Sequence, residues 1–240
     1  MARLDSESLE QLVSEDAHQA APDPSPTTTE TTGQELLDRA LEALIDLDRY
    51  RLHRILADAS VSMSGPEFRQ QFIVPLLCTI GRRWQDGSLR IVHEHLASTI
   101  VRSFLAAPRH PADRARAPRI LVTTPAGQYH ELGALMVAAV AEEMGWDVYY
   151  LGASLPAEEI VAAVKQIGAR AVALSLCYRE DDSHLLDELG RLRALLGENV
   201  PLFIGGNAAN AMYERLRESG LICLKDLAAF RDELQSAINA

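Results

Sequence analysis

From Gln34 onward apolar residues recur at helical spacing: Leu36, Leu37, Ala40, Leu41, Leu44 and Ile45, then Leu47, Leu52, Ile55 and Leu56. That periodicity predicts two amphipathic helices broken near Asp46 to Asp48. A third helix is predicted to begin at Pro66, a residue suited to the first helical position, and to run through Phe68, Phe72, Ile73, Leu76, Leu77 and Ile80 to about Trp84. Pro75 lies inside this pattern and has no amide hydrogen to give, so a kink or break is expected there. Asp86-Gly87-Ser88 reads as a turn and Ile91 to Leu105 as a fourth helix. Four helices with short connections make a bundle.

Beyond a Pro-rich, basic stretch from Ala107 to Pro118, short apolar runs alternate with helical patterns. Strands are predicted at Arg119 to Thr124, Asp147 to Leu151, Ala171 to Leu176, Pro201 to Ile204 and Leu221 to Leu224, each apolar as buried parallel strands should be. Helices fill the gaps at His130 to Met144, Pro156 to Ile167, Ser183 to Leu196, Ala208 to Ser219 and Leu227 to Ile238. The pattern is that of an α/β fold, a doubly wound five-stranded parallel sheet, whose ligands bind beyond the carboxyl ends of the strands. The expected organisation is an acidic tail at 1–33, the four-helix bundle at 34–106, a linker at 107–118 and the α/β domain at 119–240. Within the tail, Ala20 to Gly33 holds three prolines and a run of threonines and reads as disordered. Leu4, Leu9, Leu12 and Val13 before it read as a frayed terminus.

Charge narrows the range of partners. The 240 residues carry a formal net charge of −11, and the first 33 hold seven acids against one arginine, so no basic face for nucleic-acid phosphates is expected. No run approaches the ~20 apolar residues of a membrane span, and the N-terminus lacks the apolar core of a signal peptide, so a cytoplasmic protein is expected. Cys78, Cys177 and Cys223 are far apart, each in an apolar run, and are expected to be reduced, buried and structural.

Three short pieces carry candidate chemistry on one edge of the predicted sheet. Gln128-Tyr129-His130-Glu131-Leu132-Gly133 follows the first strand, Ser175-Leu176-Cys177 ends the third, and Gly205-Gly206 ends the fourth. An imidazole at His130 is a good transition-metal ligand, while Gly127 and Gly133 would let a flat group approach the backbone. Read alone, a histidine and a glycine pair are as well explained by a surface helix and ordinary turns. Together they resemble the cobalamin-binding domain of methionine synthase, corrinoid methyl carriers and cobalamin photoreceptors, with its pattern Asp-x-His-x-x-Gly, Ser-x-Leu and Gly-Gly. The resemblance covers residues 119 to 239 and implies a Rossmann-like cobalamin-binding domain. It also implies that His130 is the lower axial cobalt ligand and that Gly127, Gln128, Glu131, Leu132, Gly133, Ser175, Leu176, Gly205 and Gly206 surround the cofactor and its nucleotide tail. Two positions depart from the pattern. Gln128 stands where the family has Asp, so the supporting carboxylate is absent or replaced by Glu131, and Cys177 stands at the third position of Ser-x-Leu.

The bundle carries a second constellation, Trp84 followed after nine residues by Glu94-His95, which a hairpin turning at Gly87 would bring together. On these residues alone, Trp84 is as well read as a core aromatic and Glu94 as a helix-start acid. The spacing resembles the Trp-x9-Glu-His motif of CarH-type photoreceptors and extends the resemblance to residues 34–239. That family implies an adenosylcobalamin cofactor, a hydroxocobalamin form after light, and a cap of Trp84, Glu94 and His95 over the upper ligand. Gln85 occupies the position of the histidine that captures cobalt after photolysis in such proteins. His93 and His95 are the nearest alternatives, His93 being the first candidate upper ligand after light, with His110 in the linker more distant.

The expected function is a cobalamin-binding light sensor and transcriptional regulator that is not an enzyme and shows no catalytic residues. With the acidic tail standing where relatives carry a helix-turn-helix domain, the expected route is through a partner such as a DNA-binding regulator, as in AerR-type antirepressors. Direct nucleic-acid or membrane binding is not expected, and a light-dependent homo-oligomer is compatible with the family. Two alternatives stand beside this reading: a corrinoid methyl carrier for a methyltransferase system, and a cobalamin storage or delivery protein.

Overall fold

A computed structural model of the chain describes residues 33–106, 116–177, 183–218 and 221–239. The expected tail, apart from its last residue, and most of the expected linker, His110 included, lie outside the described residues. The N-terminal helices are α1 (Gly33–Ile45), α2 (Arg49–Ser62), α3 (Gly65–Glu67), α4 (Val74–Gln85) and α5 (Ile91–Leu105). Leu47, at φ 54°, turns the chain between α1 and α2, and the Asp48 carboxylate caps α2 by accepting from the Arg51 amide at 2.9 Å. The kink or break expected at Pro75 takes the form of a change of helix type: Phe68–Ile73 is a π-helical stretch joining α3 to α4, in which the Val74 amide reaches back to the Arg69 carbonyl. Widening the helix just before Pro75 accommodates a ring that would crowd the preceding turn and a nitrogen that donates nothing. Leu44, Leu52, Leu56, Phe72, Ile73 and Leu76 form the fully buried centre of this unit.

The second half alternates β1 (Arg119–Thr123), α6 (Leu132–Glu143), β2 (Asp147–Tyr150), α7 (Ala157–Ile167), β3 (Ala171–Ser175), α8 (Ser183–Leu196), β4 (Leu202–Gly205), α9 (Asn207–Ala211), α10 (Tyr213–Glu218), β5 (Ile222–Cys223) and α11 (Leu227–Asn239). The five strands are parallel in the order β2-β1-β3-β4-β5. The chain winds one way from β1 to β2 and the other way from β3 onward, so the crevice between the ends of β1 and β3 is the switch point where such sheets bind ligands. Registers Thr123↔Leu174 and Ser175↔Gly205 set the ends of β1, β3 and β4 side by side.

Two helices differ from expectation. α6 begins at Leu132 rather than His130, because the preceding loop is held by its own hydrogen bonds. The helix expected at Ala208 to Ser219 is divided at Met212, whose backbone (φ −101°, ψ 15°) leaves helical geometry with its side chain 3% exposed in the core under β4. Leu135 of α6 packs into the bundle core, with Leu132 and Met136 against it, so α6 is shared by the two halves. Among the described residues no helix is long and apolar enough to cross a membrane.

Candidate functional site

The loop after β1 is built from within. The Gln128 amide closes a turn on the Pro125 carbonyl at 3.0 Å, the Thr124 hydroxyl donates to the Gln128 carbonyl, and the Ser154 amide donates to the Thr124 hydroxyl oxygen at 2.8 Å. Gly127 sits in this turn at φ 83° with open space where a Cβ would be, and its amide donates to Ser154 Oγ at 3.1 Å. Gln128 is 4% exposed and its Oε1 accepts from the Cys177 amide at 3.1 Å. This buried side chain therefore fastens the loop carrying His130 to the end of β3. Where the family pattern has a carboxylate, this chain has a neutral amide bridging two strand ends. His130 and Tyr129 are exposed on the loop.

The Glu131 carboxylate has two partners from elements distant in sequence. Glu131 is 7% exposed, accepts from the Tyr150 hydroxyl on β2 and pairs with Arg102 on α5. Desolvation pushes the Tyr150 phenol up, against the downward pull of Arg102, so the phenol stays protonated and donates. Leu132 is half-buried against the bundle core.

On the far side of the loop the backbone leaves a cradle. A Cβ on Gly133 would overlap the Ser175 hydroxyl, and one on Gly206 would overlap the Leu176 carbonyl. Gly133 thus serves the packing of α6 on β3 as well as the cavity it lines. Ser175 and Leu176 are buried, and Leu176 is held by its amide donating to the Gly205 carbonyl (2.8 Å) and its carbonyl accepting from the Ala208 amide (3.2 Å). A cavity of about 190 Å³ opens here, lined by Gly133, Ser175, Gly205 and Gly206 together with Phe203 and Leu224. Its walls are mostly apolar side chains and glycine backbone, with Ser175, Asn207, Asn210, Lys225 and Asp226 among the polar lining, which suits a flat, largely apolar moiety carrying some polar groups. The glycines a side chain would fill and the cavity beside Ser175 fit the nucleotide tail of a cobalamin, and His130, exposed on the loop after β1, would be the residue to hold cobalt.

The bundle reaches the cavity through Gln70 and Val74, and its hairpin carries the second set of candidate residues. Gly87, at φ 81°, turns the chain between α4 and α5. Trp84, on the last turn of α4, is 37% exposed, which removes it from the bundle core. Glu94 accepts from Ser98 Oγ at 2.6 Å, and its other oxygen lies 2.7 Å from His95 Nδ1. The His95 side chain is 71% exposed. His93 is half-buried, and its Nδ1 lies 3.0 Å from the Arg90 amide and 3.2 Å from the Arg90 carbonyl; in the tautomer whose Nδ1–H donates to that carbonyl, Nε2 keeps its lone pair.

The cysteines correct the sequence reading: Cys78 and Cys177 are exposed, and only Cys223 is partly covered. Cys78 lies on the α4 face away from buried Leu76 and Ile80, and Cys177 lies where the chain leaves the sheet. Desolvation pushes the Cys177 thiol up, with smaller contributions from Cys78 and Glu94, so the bundle hairpin and the end of β3 are electrostatic neighbours. Sequence reasoning missed Thr124, Tyr150, Arg102 and the β5 end of the cavity. Their chemistry is ordinary, and only the fold brings them together.

The fold is that of a two-part protein, a helical bundle followed by a parallel α/β sheet with a cavity at its strand ends. Two family models, each described as a B12 binding domain, match residues 36–107 and 118–229, and the chain belongs to the B12-binding domain proteins. It is 31% identical over 172 residues to the HTH-type transcriptional repressor CarH of Myxococcus xanthus, and 32% identical over 188 residues to the HTH-type transcriptional repressor CarA of the same organism. These alignments cover 70% and 77% of this chain but only 58% and 62% of the two relatives. In fold it is similar to the monomethylamine corrinoid protein of Methanosarcina barkeri, with a TM-score of 0.65 at 13% identity, covering 85% of this chain and all of that one.

Proposed function

We propose that this protein is a light sensor that holds adenosylcobalamin between bundle and sheet, with His130 as lower axial ligand, and regulates transcription through a partner protein. The feature that carries this reading is Trp84, 37% exposed at the end of α4, on the same helical hairpin whose second helix carries the Glu94–His95 pair. A large aromatic at the end of a helical hairpin, more than a third exposed, keeps part of its surface for stacking. The carboxylate and imidazole offer hydrogen bonds to ribose hydroxyls or an adenine edge. A methyl group needs none of these, which favours the adenosyl form over the methyl-carrier reading. When bound, adenosylcobalamin supplies a photolabile cobalt–carbon bond, so that light is the input and loss of the upper group the switch. The chain's own residues hold the upper group and the lower face, exclude water between the two halves, and change their packing when the cap loses its occupant. This role is sensing rather than catalysis. His93, with Nε2 available, is the residue we assign to cobalt after light. The net charge of −11 favours a protein partner, such as a DNA-binding regulator, over direct phosphate contacts, and a cytoplasmic site of action is in keeping with such a partner.

The test is absorbance and gel filtration of protein loaded with adenosylcobalamin in the dark and again after green light. Expected are an imidazole-ligated dark spectrum that His130→Ala abolishes, conversion under light, and a change of size. Loading with methylcobalamin but not adenosylcobalamin would replace this reading with the carrier. A converted spectrum identical in wild type and His93→Ala would remove His93 as the later ligand.

A further inference from the structure

We propose that Arg102 and Tyr150 are positioning residues for His130, acting through Glu131, and that one face of α5 ties the cap above the cofactor to the ligand loop below it. The proposal rests on the reading that His130 ligates cobalt. Its basis is a three-way joint. The Glu131 side chain is 8% exposed and occupies the N-cap position of α6, directly after His130. Its carboxylate receives the Arg102 guanidinium from the bundle and the Tyr150 hydroxyl from β2. A buried carboxylate between two donors has one favourable placement. The Cα of His130 is one peptide unit, about 3.8 Å, from that fixed point. The imidazole is therefore hung between a joint on one side and, two residues back, the buried Gln128 amide that grips the end of β3.

The reach of the joint extends along α5. Glu94, Ser98 and Arg102 are spaced i, i+4 and i+8, which places them on one face of the helix. Ser98 Oγ donates to Glu94 at 2.6 Å, and four residues on Arg102 meets Glu131. The eight residues from Glu94 to Arg102 span about 12 Å of a single helix. The acid that faces the upper ligand and the cation that fixes the lower loop thus belong to one stiff element. A shift of α5 when the cap loses its partner reaches Glu131 without crossing any flexible segment, and a change in the His130 loop reaches Glu94 by the same route.

A merely structural joint would steady the docking of bundle on sheet and leave cobalt ligation alone. The two roles separate in the full chain with Arg102→Gln, Arg102→Lys and Tyr150→Phe. Hydrogen exchange of the cofactor-free proteins reads the loop at 125–131, and absorbance after loading with hydroxocobalamin reads the imidazole-ligated fraction, with His130→Ala as the unligated reference. For Arg102→Gln, loop exchange should rise roughly tenfold, as loss of one charge-assisted hydrogen bond implies, while α1 and α2 keep wild-type protection. The ligated fraction should fall toward that of His130→Ala, and Arg102→Lys should recover much of both. Wild-type loop exchange and a wild-type spectrum in Arg102→Gln would overturn the proposal, as would a rise in exchange spread equally over the bundle. If wild type and His130→Ala give the same spectrum, the ligand assignment itself fails and the positioning role with it. The exchange data then still report whether the joint holds the loop.

Discussion

Replacing Gly206 by Ala is expected to destabilise the protein by about 2–6 kcal/mol, from backbone strain and overpacking acting together. Gly206 sits at φ 106° and ψ 171°, a region that residues with a Cβ avoid. The added carbon would overlap the Leu176 carbonyl oxygen and lie 3.0 Å from its carbon and 3.1 Å from its nitrogen. That neighbour is backbone held on both sides by hydrogen bonds to Gly205 and Ala208, so it has no rotamer by which to yield. Two controls separate the causes. Gly127→Ala shares the positive φ (83°) but meets open space, so it should cost about 1–3 kcal/mol of strain alone. A Cβ on Gly205 would stand 3.5 Å from the Leu224 carbonyl, an ordinary contact, so Gly205→Ala should stay nearly as stable as wild type. Urea unfolding at constant slope would read all three. Equal midpoints for Gly205→Ala and Gly206→Ala would refute the account. The glycine pair is therefore two residues with different duties, the second of which shapes the cavity wall.

That distinction marks how far the sequence can be read. Apolar periodicity located the bundle helices and the five strands because burial on one face or on both leaves a direct imprint on residue order. The strand ends, and with them the grouping of His130, Ser175 and Gly205-Gly206 on one sheet edge, followed from topology. Placing Trp84 required one further step, since a tryptophan at that spacing is equally at home in a core and only its exposure sets it apart. What stayed illegible has no local imprint. The π-helical stretch before Pro75 is one of several ways a helix meets a proline, and periodicity does not choose among them. Cys78 and Cys177 sit in apolar runs yet face outward, because a run on a helix or past a strand end has an outer side. Glu131 read as a stand-in for the missing carboxylate beside His130; only the fold brings it Arg102 and Tyr150, partners from elements distant in sequence.

The same limit applies to Arg69 and Glu143, 74 positions apart, and here the expected effect is again large. Replacing Glu143 by Ala should destabilise the chain by about 3–5 kcal/mol, the usual loss when one member of a buried ion pair is removed. Arg69 lies in the π-helical stretch with its side chain 3% exposed, and it donates to both carboxylate oxygens of Glu143 at the end of α6, one bond being 2.8 Å. Arg231 of α11 is 3.7 Å away from the same carboxylate, half-exposed and a weaker partner. Without Glu143 the guanidinium keeps its charge, its burial and an Nε that already has no partner among the described residues. The attraction matters less than this stranded cation, which the double variant Arg69→Met with Glu143→Ala should reveal. Removing the charge along with its partner should restore most of the lost stability, whereas an additive loss would mean that the two residues do not couple and that each contributes through other contacts. Because Glu131 and Glu143 flank α6, bundle arginines grip that helix at both ends. The half-exposed Arg102 grip beside His130 is the weaker one, so any movement of the bundle over the sheet should begin there and pivot at Arg69.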